Sequence, residues 1–395
     1  VTVGRRFGLA RALALAVAAS VAGCESAPQA PGGFREESAG LSGKRPGDLI
    51  RSETMSGAPA GALAWKVLYV STDAQGRPIP VSGVVVASGL PPPEGGRPVV
   101  AWAHPTAGVA ENCAPSLRRD FFDSIPHLAA LVTLDWVVAA TDYPGLGTRG
   151  PHPYLVGASE GRAVLDIVRA AGRLPKAGAS RRFAAWGHSQ GGQAVLFAGQ
   201  LAGRYAPDLT LFGVAAAAPA TDIAELVRDD VAGKGDRVIA AYCLASWSRF
   251  YGAPLGGFVS PRAIRAIENV AGDCVESTGE AYRVSDSPVP AEDFRTGSLF
   301  TADPWRRLFE ENRPGGEPAG APLYIAQGTE DLIVRPSVTD DFVRDLCGRG
   351  ETVRFESLQG LGHMRAGRAS ATSAILWMKS RFEGAAAPNT CGTAW

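Results

Sequence analysis

The chain has 395 residues, and its 39 basic side chains balance 39 acidic ones. That balance supplies no global field for a nucleic acid partner. At 46% hydrophobic and 20% charged, the composition excludes a disordered chain, and the length allows one large domain or two ordinary ones.

Residues 1–24, "VTVGRRFGLARALALAVAASVAGC", place a basic start before an apolar Ala/Leu/Val run. This is the layout of a secretory signal, and the run is short for a membrane span. Its end, "VAGC", resembles the bacterial lipobox, in which small residues precede a cysteine that receives lipid. The expectation is removal of residues 1–23, lipid on Cys24, and export to the outer face of a bacterial membrane or cell surface. The alternative is cleavage near the same point into a soluble secreted protein. Residues 24–45 are rich in Ala, Pro, Gly and Ser and too poor in apolar side chains to pack, so they read as a flexible tether to a domain over 46–395.

"ALAWKVLYVSTDAQGRPIPVSGVVVA" reads as two strands joined by a turn-rich segment. "RPVVAWA" and "DWVVAAT" are short apolar runs of the kind buried in parallel sheets. A helix follows in "ASEGRAVLDIVRAAGR", with Val164, Leu165 and Val168 on one face. The strand "RFAAWG", another helix, "LTLFGVAAAA", "APLYIAQG", a helix through "SVTDDFVRDLC", "TVRFESL" and a last helix at "SATSAILWMKSRF" complete the order. Such alternation predicts an α/β fold, a mostly parallel sheet flanked by helices. About residues 221–320 interrupt it with helical sequence, and an insertion of that size between two strands reads as a helical cap over the strand ends.

"GHSQG", residues 187–191, matches G-x-S-x-G in its required context, with a strand before and a helix after. The turn holds Ser189 out at the carboxyl edge of the sheet, and the helix start aims free N–H groups, including that of Gln190, at the same point. Those groups suit an oxyanion formed when the hydroxyl attacks an acyl carbon. A serine nucleophile needs a base and an orienting carboxylate, in the chain order Ser, acid, His. Of five histidines only His363, in "LQGLGHM", follows the later strands. His104, His127 and His152 precede the serine, and the elbow points His188 away from its Oγ. The acid is expected just after "PLYIAQG", where Asp331 stands, with Glu330 its adjacent rival.

Together with "AWAHPTAGVAENCAPSL", "DYPGLGTRGPHPYLVGASEGRAVLD" and the pair "QGTEDLIVRP" and "GLGH", this motif resembles the α/β-hydrolases. More narrowly, it resembles the secretory lipases of the fungal lipase-A type and their bacterial relatives. The resemblance implies a Ser189–Asp331–His363 triad that hydrolyses carboxylic esters, with acyl or lipid-like groups, through an acyl-enzyme. It also implies a second oxyanion donor after "VVAWA". The backbone N–H of Thr106 is favoured there, with Gly108 the alternative; the fungal acidic residue of this loop is replaced by "HPTAG". An acyltransferase or a peptidase would use the same triad, and a non-catalytic surface binding lipoprotein is the reading from another class.

"GLGTRG", residues 145–150, fits G-x-G-x-x-G, but Pro151 and Pro153 follow where a dinucleotide fingerprint needs a helix. No metal or nucleotide motif occurs, so no cofactor and no metal are expected, and the partners are an ester or lipid substrate and, through Cys24, a membrane. Trp247, Phe250, Tyr251 and Phe258 either line an acyl pocket or pack the cap. Five cysteines remain beyond Cys24, and export favours bridges among them. The family resemblance implies Cys113–Cys274. Joining Cys347, at a helix end, to Cys391 would hold the tail, which leaves Cys243, within "AAYCLASW", as a buried thiol.

Overall fold

The computed structural model describes residues 40–233, 237–277 and 296–393, with positions 1, 282–283, 289 and 294. The expected leader, Cys24 and the tether up to residue 39 lie outside the described residues. The chain divides into Val1–Gly33 and Phe34–Trp395, and every element below belongs to the second unit.

Among the described residues nine strands form one sheet. They are β1 (Leu49–Thr54), β2 (Ala62–Thr72), β3 (Pro78–Ser88), β4 (Arg97–Ala103), β5 (Val137–Thr141), β6 (Ala179–His188), β7 (Thr210–Ala217), β8 (Leu323–Gly328) and β9 (Val353–Leu358). Their spatial order is β1-β2-β3-β5-β4-β6-β7-β8-β9. Pairings from β1 to β5 are antiparallel, and those from β5 through β9 are parallel. β5 is buried along its whole length and β4 nearly so, as near-continuous apolar strings must be when helices cover both faces. β1 has no counterpart among the predicted strands. "LIRSET" carries little apolar sequence because it is an edge strand whose last three residues are exposed.

On one face of the sheet lie α2 (Gly157–Ala171), α3 (Gln190–Tyr205) and α8 (Pro336–Gly348), sharing a core that includes Val164, Leu165, Val168, Val195 and Phe342. The burial of α2 extends well beyond the one predicted face, because the sheet and α3 pack on it from different sides. The opposite face is covered by α1 (Leu128–Thr133) and α10 (Ala371–Phe382), packed on Trp102 and Trp186. The insertion contributes α4 (Ile223–Ala232), α5 (Val238–Tyr251), α6 (Pro261–Val270) and α7 (Trp305–Glu311). These form a separate core around Trp247, Ile267 and Trp305, which also takes in Val109, Tyr154, Leu155 and Val334 from loops of the sheet layer. Trp247 is fully buried, stacks on Trp305 and donates from Nε1 to the Tyr154 carbonyl. It therefore packs the insertion.

Packing begins before residue 46. Leu41, within the expected tether, is buried and helps line a groove of about 560 Å³ with Pro78, Pro80, Phe250 and Tyr251. The sulfurs of Cys113 and Cys274 are bonded, tying the loop after β4 to the insertion, and those of Cys347 and Cys391 tie α8 to the tail. Cys243 is a buried free thiol. No helix among the described residues is long and apolar enough to cross a membrane.

Candidate active site

The carboxyl ends of β6, β8 and β9 deliver three side chains to one point. Ser189 follows β6 at φ 58° and ψ −118°, a conformation few non-glycine residues adopt. Its neighbours explain how the turn closes. A Cβ on Gly187 would stand 2.2 Å from the Gly191 carbonyl oxygen, and one on Gly191 would stand 2.0 Å from that of Ala103. Gly192 meets Pro219 in the same way, at 2.8 Å. The glycines of "GHSQGG" are thus required by close backbone approach between the elbow and the neighbouring strand ends.

His363 opens α9 (His363–Ala369), a short helix that apolar periodicity did not reveal. Its Nε2 lies 2.8 Å from Ser189 Oγ and its Nδ1 lies 2.7 Å from Asp331 Oδ2. A carboxylate only accepts, so Nδ1 carries the proton and bare Nε2 accepts from the serine hydroxyl. Glu330, one residue earlier, is exposed. All three members of the relay are at most 5% exposed.

Asp331 is held from several directions. Oδ1 accepts from the N–H groups of Ile333 and Val334, both at 2.9 Å, and Oδ2 accepts from Gln327 Nε2 at 2.9 Å. Burial alone would raise the carboxyl, but the adjacent His363 ring and these N–H donors outweigh it and hold Asp331 below its ordinary value. Gln327 is fixed in turn by Thr339, whose Oγ1 donates to Gln327 Oε1 at 2.7 Å. In the sequence Gln327 shows only as a polar side chain inside the apolar "LYIAQG".

His188 is turned away from Ser189, and its Nε2 donates to the backbone carbonyl of His363 at 3.0 Å. Burial and the neighbouring His363 ring drive it down to about 3, so it is a neutral brace for the His363 loop. A Cβ on Gly328 would meet the Leu361 carbonyl oxygen at 2.2 Å, which brings the same loop against β8. His104 bonds locally to the Pro105 carbonyl oxygen, and burial lowers it. In the loop after β4, Thr106 is buried with Oγ1 2.9 Å from Tyr154 Oη, whereas Gly108 pairs with Cys274 beside the disulfide. A cavity of about 210 Å³ opens at His363, lined by Glu330, Leu332, Ile333, Met364 and Arg365. Among the described residues no His/Cys/Asp/Glu cluster has the geometry to hold a metal.

The model of the secretory lipase family matches residues 124–390, about two thirds of the chain, and spans Ser189, Asp331 and His363. The chain belongs to the secretory lipase family. A secreted triacylglycerol lipase of Malassezia globosa is 25% identical, over 91% of this chain and 80% of its own. A protein of Mycobacterium tuberculosis described as a probable inactive lipase is 24% identical, over 86% and 79%. The fold is shared with Candida antarctica lipase A, at a TM-score of 0.74 and 18% identity, covering 88% of this chain and 85% of that one. This lipase-family chain is an α/β-hydrolase and a carboxylic ester hydrolase, and its buried Ser189–His363–Asp331 contacts fit a Ser-His-Asp triad.

Proposed function

We propose that the chain hydrolyses acyl or lipid-like esters with Ser189 as nucleophile, His363 as general base and acid, and Asp331 as the group that orients the base. The observation that carries this is the continuous relay of 2.8 Å and 2.7 Å bonds through the His363 ring. Ser189 Oγ attacks the acyl carbon while its proton passes to His363 Nε2, and Asp331 stabilises the resulting imidazolium without taking the proton. The developing oxyanion is received by the backbone N–H of Gln190, at the start of α3, and by that of Thr106. His363 then protonates the departing alcohol. Water, deprotonated at the same nitrogen, attacks the acyl-enzyme and releases the acid and the serine.

In the His363 cavity Leu332, Ile333 and Met364 stand beside Glu330 and Arg365, and the three apolar side chains are the ones assigned to the acyl group. Leu332 is 90% exposed there, available to an apolar chain. The inserted helices α4 to α7 act as a cap over the strand ends, pinned by Cys113–Cys274. The test is labelling of Ser189 by a fluorophosphonate, with turnover of p-nitrophenyl esters of graded acyl length, triolein and a peptide amide. Labelling with ester turnover supports the reading. A peptide amide cleaved faster than every ester, or an unlabelled Ser189, overturns it.

The protein is exported and lipid-anchored through Cys24. The support is the "VAGC" end of the apolar leader. A diacylated cysteine supplies the two-chain anchoring that one acyl chain does not. Cys24→Ala should move the enzyme from the membrane to the soluble fraction with unchanged specific activity. Wild-type protein wholly in the medium, with an unlipidated N-terminus, would refute the anchor.

A further inference from the structure

Gln190, first residue of α3, turns its side chain into a closed polar cluster. Its Nε2 donates to Glu160 Oε1 at 2.7 Å and lies 3.2 Å from His152 Nε2. The protons follow from the partners. The Pro144 carbonyl only accepts, so His152 Nδ1, 2.9 Å from it, carries the hydrogen and Nε2 is bare. The amide of Gln190 therefore gives one hydrogen to Glu160 and the other to His152. Glu160 Oε1 also accepts from the Leu155 N–H at 3.0 Å. All three side chains are buried, and Glu160 Oε2 and Gln190 Oε1 have no protein partner. A carboxyl kept there costs more than an apolar residue would, unless the fork it makes is needed.

The need lies one residue away. The backbone of Ser189 is strained, and such conformations persist only where their surroundings over-determine them. The glycine contacts pin the elbow from the sheet, and the fork pins the next residue from α2.

We propose that Glu160 is a positioning residue for ester hydrolysis: through the amide of Gln190, which it shares with His152, it fixes the helix start whose backbone N–H receives the oxyanion. This rests on the roles assigned above to Ser189 and Gln190. The cluster is uncharged at neutral pH. Burial pushes Glu160 up to about 8, against the donors Gln190 and Leu155, and drives His152 down to about 3. The titratable groups that face Glu160 are His152 and Tyr143. Ionisation of Glu160 puts a negative charge beside the residue that must receive one, so turnover falls as pH rises through its pKa.

The test is steady-state hydrolysis of a p-nitrophenyl ester from about pH 6 to about 10 by wild type, Glu160→Ala, Glu160→Gln, Gln190→Ala and the Glu160→Ala/Gln190→Ala double variant. Glu160→Ala should lower kcat on the order of ten- to a hundredfold, with KM changed less than about threefold. Glu160→Gln, which keeps an acceptor at Oε1, should restore kcat at neutral pH and abolish the alkaline fall. Gln190→Ala, which keeps the backbone N–H, should match Glu160→Ala, and the double variant should lose no more than either. Wild-type kcat in Glu160→Ala, a loss in KM alone, or an alkaline fall that survives in Glu160→Gln overturns the proposal. If Glu160→Ala fails to fold, the pH profile of Glu160→Gln and the kcat of Gln190→Ala decide it. Failure of the underlying reading looks different: wild type would go unlabelled by fluorophosphonate and Ser189→Ala would keep its turnover.

Discussion

Ser189→Ala removes the attacking oxygen and leaves His363 Nε2 without the hydroxyl it accepts from at 2.8 Å. By analogy with other serine hydrolases, kcat should fall on the order of a millionfold. Asp331→Asn should cost about 10⁴-fold, because the amide cannot hold Nδ1 protonated or stabilise the imidazolium. Glu330→Gln should leave kcat near wild type, since that side chain is exposed while Asp331 makes the 2.7 Å bond to His363. The measurement is kcat for one p-nitrophenyl ester, with folding checked by circular dichroism. Loss in Glu330→Gln with full rate in Asp331→Asn would reverse the acid assignment. Residue types and chain order are enough to point to Ser189, Asp331 and His363. Gln327, His188 and Glu160 do not stand out in the same way, because each acts on a neighbour's orientation and leaves no spacing pattern.

The strand–elbow–helix unit of β6 and α3 works as one rigid element. Gly191→Ala tests this, since the added Cβ would sit 2.0 Å from the Ala103 carbonyl oxygen and 2.8 Å from that of His104. Backbone cannot yield as a flexible side chain can, so β4 and the elbow must separate. Stability should drop on the order of 2–4 kcal/mol by urea denaturation, with ester turnover lost. Gly203→Ala on the same helix, where a Cβ meets nothing within 4 Å, should be neutral or slightly stabilising. Equal stability of the two variants would show that the elbow is not closely held. The hairpin of β2 and β3 and the apolar strands were legible from alternation and length. The helix at His363–Ala369 was not, because "HMRAGRA" has neither an apolar stripe nor an N-cap side chain.

Two bonded cysteine pairs close long stretches of the chain from Phe34 onward. Cys113 and Cys274 are 161 residues apart, and Cys347 and Cys391 are 44 apart. In the chain-entropy model the first stabilises by about 5 kcal/mol and the second by about 4 kcal/mol. Peptide mapping without reduction should recover both linked pairs, with Cys243 alkylated only after denaturation, since burial also pushes its thiol up. The double variant Cys113→Ser/Cys274→Ser should melt well below wild type and be digested first within the insertion. A bridge that includes Cys243 would contradict both the pairing and the packing of α5.

Apolar runs of strand length alternating with helical periods, and a serine between glycines at a strand end, were enough to specify an α/β-hydrolase sheet and to nominate its nucleophile. Both are local signals, written within a few residues of one another. The chain order of Ser189, Asp331 and His363 narrowed the partners of that nucleophile but left Glu330 beside Asp331. Tertiary structure decided between them, because only the approach of the β8 and β9 ends aims one of two adjacent carboxyls at the His363 ring. It alone also joined Glu160, Gln190 and His152, which come from a helix, an elbow and a loop. Their hydrogen bonds span up to 38 residues of sequence, and nothing in local propensity records a contact made through space.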